Sequence, residues 1–304
     1  MGRFIERFNE YSCIVDDGLK LERLSHYTSN AKAVSNICKG EFWATDIIDF
    51  VDSAEGRLIL QRIRGLCLEP GFLPSEVKEY VSNYIGDDEK IAAFISKHRT
   101  AVLSMCVNTD SAYLWDAYAK KDGYNILSDK EMFDRSLCFY TVNGVEKRNN
   151  YIRRSKIIYD TEQQITIIKS ELNDLLKINE TGFTDEIKME YILYHLMYIG
   201  NFYKEDEHYS KEEEYRYLVN MIHPTDDHPE MENLIPKYIQ NASRESNAVM
   251  HHIVLKFDSK SIIKIICNSK LAKEKLEIYN LDIPIEMRKY GEETRLKSDR
   301  TGII

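Results

Sequence analysis

The segment Ala101-Val102-Leu103-Ser104-Met105-Cys106-Val107 is short, apolar and bounded by polar residues, which is typical of a buried β-strand. Towards the N-terminus, residues 41–45 alternate as a strand does, residues 30–38 carry apolar side chains with a helical period, and residues 24–28 form another strand-like run. A strand–helix–strand unit is therefore predicted to open the fold. Further strands and helices follow without strict βαβ alternation, so the sequence predicts an α+β protein.

The number and placement of glycine and proline residues indicate the domain organisation of the chain. Its 304 residues include only 6 Pro and 13 Gly, and no Pro/Gly/Ser-rich linker divides them. We therefore expect one domain over residues 1–304 rather than two independent ones. Three helical segments between residues 57 and 98 interrupt the strand order and are predicted to form an insertion beside the functional cleft. More helices are expected at residues 161–203.

Composition limits the classes of partner. Lys and Arg number 41 and Asp and Glu 50, a net charge of −9, which argues against a broad non-specific grip on nucleic acid but leaves room for a small basic pocket. The six cysteines have neither CxxC nor zinc-finger spacing, so reduced thiols and no metal site are expected. The sequence contains no signal-peptide-like or bilayer-length apolar run, so we expect a cytoplasmic protein without a membrane partner.

The first of three patches that could carry chemistry is His26-Tyr27-Thr28-Ser29, at the end of a predicted strand. His26 and Thr28 point the same way because strand side chains have a period of two. Polar groups at a helix entrance could hold a ribose or a phosphate. The alternative is a simple capped helix start, with Thr28 or Ser29 as N-cap and His26 as a satisfied surface residue.

The second patch lies in a predicted short helix over residues 111–119. Ser111, Trp115 and Tyr118 stand at i, i+4 and i+7, so they are predicted to share a helical face. A hydroxyl beside two rings suits a flat heterocycle that bears an amide. Ordinary core packing of the aromatic residues is the alternative.

The third patch is Glu212-Glu213-Glu214-Tyr215-Arg216, at the mouth of a predicted strand. Glu212 and Glu214 are two residues apart, so one carboxylate could stabilise a sugar cation while the other orients a nucleophile. A solvated run of charges is the alternative. Two weaker candidates are the loop at residues 223–229 and His251-His252, whose rings must point to opposite faces of a strand.

In this order the three patches resemble the His–Tyr–Glu arrangement of the ADP-ribosyltransferase superfamily, in its branch of diphtheria-toxin-like enzymes and poly(ADP-ribose) polymerases. The chain is also similar to a bacterial domain family of unknown function with the pattern HYTS…LWxxYA…ExEWR, although Tyr215 replaces the usual Trp. The resemblance implies a split β-sandwich core with helical insertions. The polymerases' Ser-x-x-Tyr spacing is not kept, since Leu114 stands three residues after Ser111.

The resemblance further implies an NAD-dependent mono-ADP-ribosyltransferase, with NAD as its substrate. The NAD-binding residues it implies are His26, Tyr27, Thr28, Ser111, Trp115 and Tyr118, and the catalytic ones are Glu214, Glu212 and His26. Either Glu212 or Glu214 is the essential acid, and either Trp115 or Tyr118 stacks on the nicotinamide. Such enzymes in bacteria are often toxins or phage-defence effectors, which implies a protein, RNA or DNA acceptor and an antitoxin or inhibitor partner.

Two other functions are compatible with the same fold. One is a non-catalytic module that senses NAD or another nucleotide, or binds a partner. The other is an enzyme similar to the RNA 2′-phosphotransferases, for which Arg153 and Arg154 are the obvious local basic pair. The enzyme hypothesis predicts that His26, Trp115 and Glu214 line one cleft. If His26 and Glu214 lie on opposite faces, the binding module is favoured instead.

Overall fold

A mixed sheet of twelve strands runs through the part of the chain that the computed structural model describes, residues 21–50, 56–142, 145–148, 152–178, 184–205, 209–220, 237–240 and 249–289. The strands are β1 (Arg23–Thr28), β2 (Glu41–Asp46), β3 (Thr100–Cys106), β4 (Tyr124–Asp129), β5 (Cys138–Val142), β6 (Val145–Arg148), β7 (Ile152–Lys156), β8 (Glu214–Asn220), β9 (Lys237–Gln240), β10 (Val249–Lys256), β11 (Ile262–Cys267) and β12 (Ile285–Met287). The predicted α+β class is confirmed, and so is the strand predicted around residues 101–107.

The helices are α1 (Ala31–Cys38), α2 (Leu58–Cys67), α3 (Ser75–Ile85), α4 (Asp88–Lys97), α5 (Lys130–Ser136), α6 (Thr161–Lys177), α7 (Asp185–Gly200) and α8 (Lys270–Glu277). A one-turn helix (Ala112–Leu114) leads into a π-helix (Trp115–Ala119), and 3-10 turns cover Ile47–Asp49, Ser210–Glu212 and Ser259–Ser261. Within these described ranges, none of the helices has the length and apolar character needed to cross a membrane.

The sheet forks at β3. One edge of β3 pairs with β8 along its whole length, from Thr100 to Cys106. The other edge pairs with β2 at Ala101 and Val102 and with β1 at Cys106. Two arms therefore leave the same edge, one continuing β1–β4–β11–β12 and the other β2–β10–β5–β6. The backbone of Ser104 lies in the gap between them.

Helices cover both faces of the sheet. On one face α2, α3, α4, α6 and α7 share a core with Val102 and Leu218. On the other face α1, α5 and α8 pack with Leu103 and Met105. We call these the α6/α7 face and the α1/α5 face. Because successive strand residues point to opposite faces, Ser104 and Cys106 belong to the α6/α7 face together with Val102.

The predicted insertion at residues 57–98 is helical and is integral to the helical layer. Its helices α2 to α4 share one apolar core with α6 and α7. Gly200 of α7 lies so close to Ile59 of α2 that a Cβ there would be 2.2 Å from the Ile59 Cγ2 atom. The insertion therefore supports the end of α7, which leads into the candidate site.

Replacing Gly40 by Ala is expected to destabilise the fold, because this glycine ends α1 with φ of +84° and a Cβ would lie 2.4 Å from the Phe257 carbonyl oxygen. We expect a loss of roughly 2–4 kcal/mol, from left-handed strain and from the shift that the clash forces on the backbone. Gly65→Ala in α2, where a Cβ meets no atom within 4 Å, is the matched control and should stabilise by up to about 1 kcal/mol. Urea unfolding measures the change in the free energy of unfolding for both variants. Equal changes would contradict the conclusion that Gly40 is needed for the left-handed backbone at the end of α1.

Candidate functional site

Tyr27 joins β1 to the segment that carries the second sequence patch. Its ring meets the Trp115 ring edge-to-face at 5.3 Å, on the α6/α7 face. Its hydroxyl donates to the Asn108 carbonyl oxygen (3.1 Å) and accepts from the Ser111 amide (3.1 Å). Burial raises the pKa of Tyr27 above its usual 10, so the phenol stays neutral and keeps its donor. Tyr27 therefore holds residues 108–115 against β1.

Trp115 is a packing residue. Only 2% of it is exposed. Its indole Nε1 donates to Asp110 Oδ1 (2.8 Å), and the Arg288 guanidinium lies over its ring at 4.8 Å while pairing with the same Asp110 oxygen at 3.0 Å. Tyr27 and Arg288 thus cover the ring. The packing alternative holds for Trp115, and the prediction that it is a ligand wall is not supported by this geometry.

Ser111, Trp115 and Tyr118 do not belong to one regular α-helix, and they differ in exposure. Ser111 is an N-cap whose Oγ accepts from the Leu114 amide (3.3 Å). Trp115 and Tyr118 lie in the π-helix, whose wider turn changes the alignment of side chains. Tyr118 is 45% exposed, and its hydroxyl donates to Glu212 Oε1. Tyr118 is therefore the ring that a ligand can reach.

Glu212 and Glu214 belong to a buried charge cluster with Lys204 and Arg216. The Lys204 ammonium lies 2.8 Å from an oxygen of each glutamate. Arg216 donates from Nε to Glu214 Oε1 (2.7 Å) and from Nη2 to Glu214 Oε2 (3.2 Å). Glu213, between the two acids, is exposed and adopts φ of 45°, which turns its side chain away from the cluster.

The backbone around the end of α7 positions the two cations of the charge cluster. Gln164 of α6 donates from Nε2 to the Lys204 carbonyl oxygen (2.9 Å), and the Arg216 Nη1 donates to the Asn201 carbonyl oxygen (2.7 Å). The Tyr159 hydroxyl accepts from the Glu214 amide (3.0 Å). The acids are thus held by β8 and its preceding turn, and the cations by β8 and the helical layer.

The charge cluster is neutral overall, since two carboxylates face one ammonium and one guanidinium. Burial by itself raises the pKa of Glu214, but Arg216 and Lys204 outweigh it and lower the pKa from 4.5 to about 2. Glu214 is therefore ionised at every physiological pH. For Tyr118, burial and the hydrogen bond to Glu212 both raise the pKa, so its hydroxyl remains a donor.

His26 lies on the opposite face from these residues. Ser25 pairs with Cys106 and Cys106 pairs with Glu214, so all three side chains share the α6/α7 face. His26 is the next residue along β1, and its ring meets Phe42 edge-to-face at 5.1 Å in the α1/α5 core. The prediction that His26, Trp115 and Glu214 line one cleft is therefore wrong.

His26 has a place of its own at the fork. Its Nδ1 lies 3.1 Å from the Ser104 carbonyl oxygen, in the gap between the two arms of the sheet. Burial lowers the pKa of His26 below 6.5, against the opposite effect of this hydrogen bond, so the ring is neutral and donates from Nδ1. Thr28 points the same way as His26, and its Oγ1 accepts from the Asn30 amide (3.2 Å). Asn30, rather than Thr28 or Ser29, caps α1.

The other candidate pairs that the structure describes do not bring their two side chains together. Arg153 and Arg154 are neighbours on β7 and point to opposite faces, so they do not form one phosphate grip. His251 and His252 also point apart, as the sequence predicts: one pairs with Asp49 at 2.8 Å and the other stacks on Trp43 at 4.5 Å. The loop at residues 223–229 lies outside the described residues.

Sequence reasoning missed several residues of the site. Lys204 is the first residue of a run of charged residues that is expected from the sequence to be solvated, yet Lys204 is buried. The aromatic pair Phe202-Tyr203 before it is the signal that could have indicated burial. Asp110, Tyr159 and Arg288 carry no local pattern, since each acts through a partner distant in sequence.

Comparison with known proteins adds one match. A family model described as "Protein of unknown function (DUF2971)" matches residues 114–217. The matched segment begins at Leu114, includes Tyr118 and both glutamates, and ends at Tyr217; His26 lies outside it. No curated protein and no solved structure matches the chain. The chain is thus similar to this family over a segment that contains Trp115 and Tyr118 of the second patch and the whole third patch, but not Ser111.

Proposed function

We propose that this chain is a non-catalytic module that binds NAD or a related nucleotide, on a core similar to that of the ADP-ribosyltransferases. The proposal rests on one observation: the second and third patches, 94 residues apart in sequence, meet at the hydrogen bond from Tyr118 to Glu212, while His26 lies on the other face. We call the exposed Tyr118 ring with the Glu212 carboxylate the Tyr118–Glu212 site.

The chemistry of the Tyr118–Glu212 site fits a nicotinamide nucleoside. The half-exposed phenol ring offers a stacking surface for a flat heterocycle. The Tyr118 hydroxyl can accept a hydrogen bond from a ribose hydroxyl or a carboxamide, while the buried Glu212 carboxylate holds that hydroxyl in place. The nicotinamide ring of NAD carries a positive charge, which suits the face of an aromatic ring.

Charge balance favours binding over turnover. Cleaving the bond to nicotinamide is favoured by negative charge next to the developing sugar cation. Here Lys204 approaches both carboxylates at 2.8 Å, and Arg216 engages both oxygens of Glu214. The two cations already balance the two acids, so the cluster provides little further stabilisation for such a cation.

The second candidate is the mono-ADP-ribosyltransferase itself, and the fork of the sheet favours it. Two arms leave one edge of β3, His26 lies at the gap, Glu214 starts β8 and Glu212 lies in the turn before it. This arrangement is similar to the split core that the resemblance to the superfamily implies. In that case Glu212 or Glu214 is the essential acid, a protein or nucleic acid is the acceptor, and an antitoxin or inhibitor is the expected partner. A cytoplasmic location, consistent with the free thiols of the described cysteines, belongs to either proposal.

Removal of the Tyr118 ring should weaken NAD binding. We expect Tyr118→Ala to lose about tenfold in affinity, because stacking of a base on an aromatic side chain contributes roughly 1–3 kcal/mol. Tyr118→Phe keeps the ring and loses only the hydroxyl, so its loss should stay within about threefold, the effect of one weak hydrogen bond. Isothermal titration of NAD into the full chain measures both variants.

Two results decide between the candidates. Binding of NAD without release of nicotinamide, in the presence or absence of cell lysate, supports the module. Steady release of nicotinamide or labelling of an acceptor from labelled NAD would replace it with the enzyme. Absence of NAD binding to the wild-type chain, or unchanged affinity in Tyr118→Ala, would refute the Tyr118–Glu212 site in both forms.

A further inference from the structure

The most basic part of this acidic chain has no role in the site described above. Five of the ten residues 147–156 are Lys or Arg and none is Asp or Glu, although the whole chain has a net charge of −9. The second half of this stretch forms β7, which pairs with β8. Arg154 and Lys156 lie opposite Tyr217 and Tyr215, so their side chains project on the α1/α5 face, away from the Tyr118–Glu212 site.

Helix α5 adds a third cation to this face of the sheet, Lys130, whose side chain is only 12% exposed. The Lys130 ammonium lies over the Tyr215 ring, 5.1 Å from its centroid. Lys130 also pairs with Asp134 Oδ2 at 2.9 Å, and Arg154 reaches the same oxygen from Nε at 3.3 Å. We call Lys130, Arg154 and Lys156 the basic strip; together with Asp134 they carry three positive charges and one negative charge.

Asp134 organises the basic strip without neutralising it. Its other oxygen accepts from the buried Tyr217 hydroxyl (2.7 Å), which fixes the carboxylate on β8. The two cations it contacts are thereby held in place, and the Arg154 side chain remains 42% exposed. Arg154 therefore stays accessible to an anion from solvent although it pairs with Asp134.

We propose that the basic strip binds the phosphodiester backbone of a nucleic-acid strand. The strip is extended: Arg154 and Lys156 alternate along a β-strand, roughly 7 Å apart, with Lys130 beside them. A row of cations matches a polymer with a regularly repeated charge better than it matches a single anion, which needs converging donors. Arginine donates two hydrogen bonds to a phosphate from a planar fork, and lysine supplies a point charge.

The binding predicted here is electrostatic and local. Single-stranded nucleic acid releases counterions on binding, so log affinity falls with log salt at a slope of about −0.7 per phosphate neutralised. With three cations we expect a slope of about −2. The negative charge of the rest of the chain limits the contact to this strip. The proposal does not depend on NAD binding, because the two sites lie on opposite faces of the sheet.

The test is fluorescence anisotropy with a labelled 20-nucleotide single strand, as RNA and as DNA, and the full chain between 50 and 200 mM salt. Arg154→Gln with Lys156→Gln should weaken binding at least tenfold at 50 mM salt and reduce the slope by about 1.4, twice the value per phosphate. Lys270→Gln with Lys275→Gln removes the same charge from exposed positions of α8 and should change affinity less than twofold.

A third variant gives a result that misfolding cannot imitate. Asp134→Asn removes the negative charge but keeps an oxygen to accept from Tyr217, so binding should become about threefold tighter. The proposal is overturned if the wild-type chain does not bind either strand at 50 mM salt, if the β7 and α8 double variants weaken binding equally, or if Asp134→Asn does not bind more tightly. Stronger competition by poly-glutamate than by unlabelled RNA would also overturn it, in favour of an acidic protein partner.

Discussion

Glu214→Gln is expected to lower the free energy of unfolding by about 3–5 kcal/mol, the usual effect of removing one member of a buried ion pair. Glu214 is bound by Arg216 through both oxygens and by Lys204 through one. Arg216 is fully buried, so the neutral amide would leave two desolvated cations facing a single remaining acid, Glu212. Equilibrium unfolding in urea, followed by circular dichroism, measures the loss.

The same interaction sets an acid limit to stability. The folded-state pKa of Glu214 is about 2, below its ordinary value of 4.5. A depressed pKa contributes stability that is fully present above about pH 4.5 and is lost as the pH falls towards 2. Glu214 should therefore contribute on the order of 3 kcal/mol at neutral pH. In Glu214→Gln that part of the acid dependence between pH 4.5 and 2 should disappear.

Glu213→Gln is the matched control, since it removes the same charge from the adjacent, exposed residue. It should change the free energy of unfolding by no more than about 0.5 kcal/mol. If the two variants unfold at the same urea concentration, Glu214 is not the structural member of the charge cluster that its contacts indicate. Its carboxylate would then be available for chemistry, which favours the enzyme.

This prediction changes how a loss of function at Glu214 has to be interpreted. If Glu214 is the catalytic acid that the resemblance implies, Glu214→Gln is expected to remove NAD turnover while the fold survives. The structure connects the two effects, because the carboxylate that starts β8 also holds Lys204 and Arg216. Glu212 is also buried and also pairs with Lys204, so a change there needs the same stability control, but it is the acid that contacts the half-exposed Tyr118. A loss at Glu212 with unchanged stability therefore reports on the site.

Local patterns predicted the elements of the fold well. The apolar run at residues 101–107 became β3, and the alternation at residues 41–45 became β2. The helical period at residues 30–38 became α1, with Gly40 just beyond its end in the left-handed region. These features depend on neighbouring residues only, so periodicity and propensity suffice to find them.

Such local patterns do not show how the strands and helices are arranged relative to one another. A period of two shows that His26 and Thr28 share a face, but only the pairing of Ser25 with Cys106 decides which face that is. The π-helix likewise has no sequence signature. Within it Trp115 is buried and Tyr118 is half-exposed. The burial of Lys204 depends on two acids eight and ten residues later. In each case the deciding partner is distant or the geometry is irregular.

Trp115→Ala is expected to lower the free energy of unfolding by about 3–5 kcal/mol, because it removes a large buried ring. The indole ring lies between Tyr27 and Arg288, and its N–H group donates a hydrogen bond to Asp110. The change leaves a cavity on the α6/α7 face and removes the aromatic partner of Arg288. Trp115→Phe keeps most of the packing and should lose only about 1–2 kcal/mol. Circular dichroism during urea unfolding measures both variants.

Tyr118→Ala provides the contrast within the same π-helix. Its ring is 45% exposed, so its removal should change stability by less than about 1 kcal/mol while weakening NAD binding. Trp115→Phe, in turn, should keep NAD affinity within about twofold, since the ring does not reach the ligand. The opposite pattern, a stable Trp115→Ala with tenfold weaker NAD binding, would make Trp115 the ligand wall. A packing residue loses more stability than NAD affinity when it is replaced, and a stacking residue loses more NAD affinity than stability. The Trp115 and Tyr118 variants therefore distinguish a structural ring from a functional one.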